Sequence, residues 1–185
     1  MGPDIPQDTK GGITMTLKEA ITLFGYHQRS NVRARTVRSY QPLLQRFEVQ
    51  FGERSFDSIG SDEIFQFLET LTGNHSRSTR RLRYAQLKAL FNFLIDKCNL
   101  NMKNPCDTPL LSKAFKTPKP IARRILDREI VEELIYNTQT LRDRLILELQ
   151  ARCGLRIGET LKIKVSDAVD RRLILKEPKS GKESE

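Results

Sequence analysis

The order of apolar and polar positions predicts a chain built mostly from helices. After a polar leader, MGPDIPQDTKGG, the stretch TLKEAITLF sets Leu17, Ala20, Ile21 and Phe24 on one helical face, and Thr16 stands to Glu19 in capping-box spacing. The next stretch, TVRSYQPLLQRFEVQFG, carries Val37, Tyr40, Leu44, Phe47 and Phe51 on a stripe and stops at Gly52. Pro42 lies inside it and is expected to kink this helix or delay its start. SDEIFQFLETLTG predicts a third helix that begins at a Ser61 or Asp62 cap and stops at Gly73. A fourth runs from about Ser78 to Lys97. On its wheel Arg77, Arg80, Arg81, Tyr84 and Lys88 share one arc and Leu82, Ala89, Leu90 and Phe93 lie opposite, so one face is expected to be core and the other cationic.

Between about Asn99 and Arg124 the periodicity breaks down. Pro105, Pro109, Pro118 and Pro120 stand among repeated lysines, the composition of an extended, basic linker. Helical spacing returns in LDREIVEELI, capped by Asp127, and in RDRLILELQ, where Leu145, Ile146 and Leu149 predict a buried helix that Gly154 ends. RRLILKEP then reads as a compact strand and PKSGK as a turn, with a return strand near Lys182. The expected organisation is a leader over 1–13, a helical domain over 14–98, a linker over 99–120 and a second domain over 121–185.

Charge changes this picture through its placement. Residues 1–73 hold eight Lys and Arg against nine Asp and Glu, residues 74–128 thirteen against three, and residues 129–185 eleven against eleven. The excess sits in the middle third, on the fourth helix and the Pro-rich stretch. A like-charged arc of Arg77, Arg80, Arg81 and Lys88 with Tyr84 interleaved repels itself unless a polyanion faces it, which points to nucleic acid. A solvated helix face is the plainer alternative.

Other chemistries find little support. Cys98, Cys106 and Cys153 form no CxxC pair, and the two histidines have no partners at ligand spacing, so neither a metal nor a cofactor is expected. The first residues lack the pattern of a signal peptide, and nothing approaches the ~18 uninterrupted apolar residues of a membrane span. A soluble, intracellular protein with no membrane partner is expected.

One arginine then stands out. Arg156, in ARCGLRIGET, follows a helix-ending glycine. A guanidinium there can cover the last carbonyls of the preceding helix or pair with Glu159 three residues on. It can also serve as a fixed fork for a phosphate.

CGLRIGETLKIKVSD followed by LILKEPKSGKE resembles the opening of the catalytic domain of the tyrosine recombinases, the phage-integrase family. Its first motif runs G-L-R-x-x-E-x-L, and a lysine rides the next hairpin. The basic helical segment, the Pro-rich stretch and the phrase NPC are similar to that family's core-binding domain and its join to the catalytic domain. The resemblance covers residues 14 to 185. It implies a mostly α fold, with a helical SAM-like core-binding domain followed by a truncated α+β catalytic domain. It also implies a DNA-associated, site-specific recombinase with no small-molecule substrate, which binds duplex DNA, self-associates on it, and cleaves and rejoins it through a 3'-phosphotyrosine without metal or nucleotide.

By the same resemblance Arg156 is the first catalytic arginine, Lys179 the hairpin lysine and Glu159 the acid that orients the arginine. The motif register favours Lys179 over Lys182. The family's His-x-x-Arg motif and tyrosine nucleophile do not follow Lys179 here, and Tyr26, Tyr40, Tyr84 and Tyr136 all precede Arg156. The expectation is a recombinase cut off within its catalytic domain. The alternatives are a non-catalytic DNA-binding fragment and, more remotely, an RNA-binding helical protein.

Overall fold

The computed structural model describes residues 15–117, 125–170 and 172–175. The chain divides into two compact units, Met1–Pro120 and Ile121–Glu185. Among the described residues no helix is long and apolar enough to cross a membrane.

The first unit is helical. Helix α1, Leu17–Asn31, opens with the expected capping box: the Glu19 N–H donates to Thr16 Oγ1 at 3.3 Å and the Thr16 N–H to Glu19 Oε2 at 2.9 Å. Those bonds hold the Glu19 carboxyl below its ordinary pKa, the Thr16 backbone amide contributing most. Leu17, Ala20, Ile21 and Phe24 are all buried, as the spacing requires. Just upstream, Met15 and Leu17 exchange backbone bonds with the connection after the second helix (Leu17 N–H to Arg54 O, 2.8 Å; Phe56 N–H to Met15 O, 3.2 Å).

Helix α2, Ala34–Phe51, contains Pro42 and starts eight residues before it, so the proline does not delay the helix. Its buried residues are Leu43, Leu44, Phe47 and Phe51, with Tyr40 partly buried beside them. A 3₁₀ turn, Phe56–Ser58, buries Phe56 completely and leads to helix α3, Ser61–Thr72. The N-cap of α3 is Gly60 and not the expected Ser61 or Asp62. The Glu63 carboxylate reaches back to the Gly60 N–H at 3.1 Å and satisfies one end donor without a capping side chain.

Helix α4, Arg77–Lys97, is capped by Ser76, whose hydroxyl accepts from the Thr79 N–H at 3.2 Å. Its buried residues include Tyr84, Leu87, Leu90, Phe91 and Leu94. Leu82, expected in the core, is 49% exposed. The burying face is rotated from the expected one because α4 is covered twice, by the other helices and by the chain that follows it.

That following chain corrects the linker expectation. Thr108 caps a short helix α5, Pro109–Ala114, accepting from the Leu111 N–H at 3.3 Å, with Pro109 at the start where its missing N–H costs nothing. Cys106, Leu111 and Phe115 are buried in the same core as Leu87 and Phe91. Asn104 fastens the turn before them: its amide donates to Lys88 O at 3.0 Å and Asn92 Oδ1 at 2.7 Å, and its side-chain oxygen accepts from the Cys106 N–H at 2.8 Å. From Asn104 to Phe115 the Pro-rich stretch is packed structure, and residues 118–120 of the expected linker lie outside the described residues.

The second unit holds α6, Arg128–Tyr136, α7, Leu141–Cys153, a one-turn α8, Ile157–Thr160, and a hairpin of β1, Ala168–Val169, with β2, Arg172–Leu173. Asp127 is the N-cap of α6 without a side-chain capping bond, whereas Thr140 caps α7 by accepting from the Asp143 N–H at 3.2 Å. The expected strand at 171–178 is met over Arg172–Leu173, paired with an upstream strand that the sequence pattern does not reveal. The expected burial of α7 does not hold: it has no buried residue, and Leu145 is 59% exposed. Arg152 joins α6 to α7 through Glu132 at 3.0 Å and also pairs with Glu148.

Candidate functional site

Gly154 ends α7 in the left-handed region (φ 66°, ψ 19°), its N–H bonded to Gln150 O at 3.1 Å. An L-residue there is strained, so the glycine of the G-L-R motif is a backbone requirement. Two residues on, Arg156 takes an extended conformation as the N-cap of α8. Its carbonyl accepts from the Glu159 and Thr160 N–H groups at 2.8 and 3.0 Å, which fixes its main chain.

Glu159 grips Arg156 twice. One carboxylate oxygen accepts from the Arg156 N–H at 3.0 Å and the other from Nη1 at 3.3 Å. The acid is mostly covered and the guanidinium is not, with side-chain exposures of 16% and 72%. The plain pairing considered from the sequence is therefore present. It leaves most of the guanidinium in solvent, aimed by one bond and able to receive an anion on its other nitrogens. Lys179, its competitor Lys182 and the expected return strand lie outside the described residues.

The five residues expected on the cationic arc of α4 are brought together but do not form one free face. Tyr84 is 2% exposed, donates its hydroxyl to Cys106 O at 2.9 Å, and stacks on Phe115 with centroids 5.6 Å apart. It is a core residue that holds the packed 104–115 segment. Lys88 pairs with Asp107, and that bond raises the lysine pKa. Arg80 pairs with Glu69 and lies over the Phe115 ring at 5.3 Å. Arg81 sits over Tyr84 at 5.2 Å, and Arg77 is exposed at the start of the helix. Most of the arc is occupied by Glu69 on α3 and by Cys106, Asp107 and Phe115, the residues on either side of α5.

The sequence reading missed a second basic stretch. From Ala20 to Phe47 there are five arginines and no acid, while residues 48 to 73 hold six acids and one arginine. Counting 1–73 as one block cancelled the two. Arg29, Arg33, Arg35, Arg38 and Arg46 are all exposed. The signal was available in a shorter charge window.

Among the described residues no group of three His, Cys, Asp or Glu is arranged to hold a metal. Burial pushes the Cys106 thiol up to about 12, and Cys98 upward for the same reason, the behaviour of packing residues and not of nucleophiles.

Comparison with known proteins bears on the fold and the family. Residues 24–97 match the family model described as phage integrase, N-terminal SAM-like domain. Tyrosine recombinase XerC of Myxococcus xanthus is 32% identical over 143 residues, covering 74% of this chain and 46% of the relative. The protein of the same name from Roseiflexus castenholzii is 27% identical over 165 residues, covering 82% and 50%. The chain thus spans about half the length of the curated relatives it matches. A solved lambda integrase tetramer bound to a Holliday junction superposes with a TM-score of 0.72 at 19% identity, over 94% of this chain and 49% of the other. The fold is that of an integrase core-binding domain followed by the start of a catalytic domain. The matched family model and these relatives point to the tyrosine recombinase family.

Proposed function

We propose that the protein acts in site-specific DNA recombination, binding duplex DNA through its helical unit and contributing Arg156 to the phosphodiester chemistry. The observation that carries this reading is the exposed guanidinium of Arg156, held by Glu159 at the end of a turn that Gly154 makes possible. When a phosphodiester passes through a pentacoordinate state, charge grows on its nonbridging oxygens. A guanidinium fixed in place answers that charge without reorganising. Glu159 acts as its positioning residue. Lys179 is assigned to protonate the departing 5' oxygen, on its place in the motif alone.

The covalent step in this chemistry is attack by a tyrosine hydroxyl, giving a 3'-phosphotyrosine that keeps the bond energy for rejoining and dispenses with a nucleotide cofactor. None of the four tyrosines of this sequence is assigned that role. Tyr84 has its hydroxyl bonded within the core. The 185-residue chain is therefore expected to bind DNA without forming an adduct. Arg77 and Arg81 are assigned to DNA contact on α4. Self-association on DNA and location with the DNA in the cell belong to the same reading.

The test is an electrophoretic shift of a duplex by the purified chain at 50 mM salt, followed by denaturing electrophoresis of a nicked suicide duplex. Binding without a covalent adduct is expected. No binding at low salt overturns the reading, and an adduct mapped to Tyr26, Tyr40, Tyr84 or Tyr136 overturns the assignment of the nucleophile.

A further inference from the structure

We infer that the cleft between α2 and α4 seats one backbone phosphate of duplex DNA. This rests on the DNA-binding reading and adds to it a site that the α4 arc does not contain. The cleft has a volume of about 210 Å³. Arg46 on α2, His75 on the turn between α3 and α4, and Thr79 and Arg83 on α4 line it over an apolar floor of Leu43 and Leu71. No carboxylate is among its lining residues.

The two arginines differ in a useful way. Arg83 Nη1 donates to Ser39 O at 2.8 Å and Gln86 Oε1 at 3.0 Å, so the guanidinium is fixed by two acceptors that carry no charge. Arg46 is exposed, and among the described residues it stands in no ion pair. Arg80 and Lys88 on the same α4 already have Glu69 and Asp107 as partners. An anion entering the cleft thus meets one pre-positioned guanidinium, one free to close on it, and hydroxyl and imidazole donors between them.

The surroundings select a polyanion over a lone ion. Arg35, Arg38, Pro42 and Arg46 follow one another at helical spacing on α2, and the first two arginines are exposed. They draw a line of positive charge over about 16 Å of helix axis, leading to the cleft. A line suits a phosphate backbone, whose binding grows with each phosphate neutralised. A single small anion would use only one end of it.

The test is fluorescence anisotropy of the full 185-residue chain on a 30-base-pair duplex of arbitrary sequence, across a salt series. Arg46→Ala with His75→Ala is expected to weaken binding about tenfold, the scale of one charge-assisted bond. It should also flatten the slope of log affinity against log salt by about 0.9, the value for one phosphate. Arg46→Lys should keep the slope. Both positions are exposed, and an unchanged melting curve for each variant confirms that the fold is kept.

If the wild type binds and the double variant keeps both affinity and slope, the cleft is not a phosphate seat, while the DNA-binding reading stands. If the wild type does not bind the duplex, both fail together. Tighter binding to single-stranded RNA, with the same dependence on Arg46, would overturn the duplex assignment.

Discussion

The two units bury their apolar residues to very different degrees. In the first, 22 residues from Met15 to Phe115 form one cluster, and Phe47 alone meets Phe51, Phe67 and Phe91 with ring centroids 4.9 to 6.3 Å apart. In the second, Ile135 is the one buried apolar side chain among the described residues, while Leu134, Leu145, Leu161 and Tyr136 are more than half exposed. Its helices are joined by exposed ion pairs around Arg152, which contribute little to stability in water. The contrast separates two ways of holding a functional group. Arg83 is held by a bond to Ser39 O on α2, 44 positions away, and by Gln86 on its own helix. Arg156 is held by a turn, a left-handed glycine and an acid three residues away, so its local geometry needs no core.

The largest effect that sharpens the comparison is on the first unit. Phe115→Ala should destabilise it by about 3–5 kcal/mol, as expected for a buried aromatic, in urea unfolding followed by circular dichroism. An extended linker would predict almost no change. Limited proteolysis separates the same alternatives, because cuts between residues 104 and 115 are expected to be slow and cuts in the second unit fast.

Next comes the arginine whose geometry is local. In a chimera in which residues 125–175 replace the matching segment of a catalytically complete relative, Arg156→Ala should reduce cleavage of a nicked suicide duplex by about a hundredfold or more. Glu159→Gln should give a smaller loss, through kcat more than through binding, since it aims the guanidinium and does not touch the phosphate. Equal cleavage by the arginine variant would remove it from the chemistry.

How far these features were legible in the sequence follows from the range of the interactions. The capping box of α1, the left-handed stop at Gly154 and the Arg156–Glu159 pair depend on residues within four positions of one another, and the sequence displays all three. The orientation of Tyr84 depends on Cys106 and Phe115, 22 and 31 positions downstream, inside a segment whose prolines suggested a linker. Even there a local signal existed, since Thr108 before Pro109 is a helix start. The exposure of α7 was not legible, because Leu145, Ile146 and Leu149 have the spacing of a buried stripe whether or not anything covers them.

Thiol chemistry gives a further contrast. Cys153 is exposed at the end of α7 and Cys106 is buried. A maleimide reagent at neutral pH should label Cys153 first, Cys98 more slowly, and Cys106 only on unfolding, as read by mass spectrometry. Labelling of Cys106 in the native chain would mean that the 104–115 segment opens readily.

The smallest effects are in pH. Glu63 is held below its ordinary value first by Arg54 and then by the Gly60 N–H, and Glu19 by Thr16. Their contribution to folding is complete above the unfolded value of 4.5 and is lost as pH falls through the lower folded values. Cys106 acts at the other end. Its unfolded thiol ionises near 9 while the folded one holds its proton to about 12, so stability declines as pH rises above 9. Urea midpoints should therefore fall at both ends of the range, with Glu63→Gln flattening the acid limb and Cys106→Ala the alkaline one.

The measurement that tests the account most directly is DNA binding by the first unit alone. Residues 1–120, expressed as a separate protein, are predicted to fold cooperatively. They should bind a 30-base-pair duplex with a salt slope within about one phosphate, or 0.9, of that of the 185-residue chain. A fragment that folds but does not bind, or whose slope collapses by several phosphates, would contradict the placement of the DNA-binding surface on the helical unit.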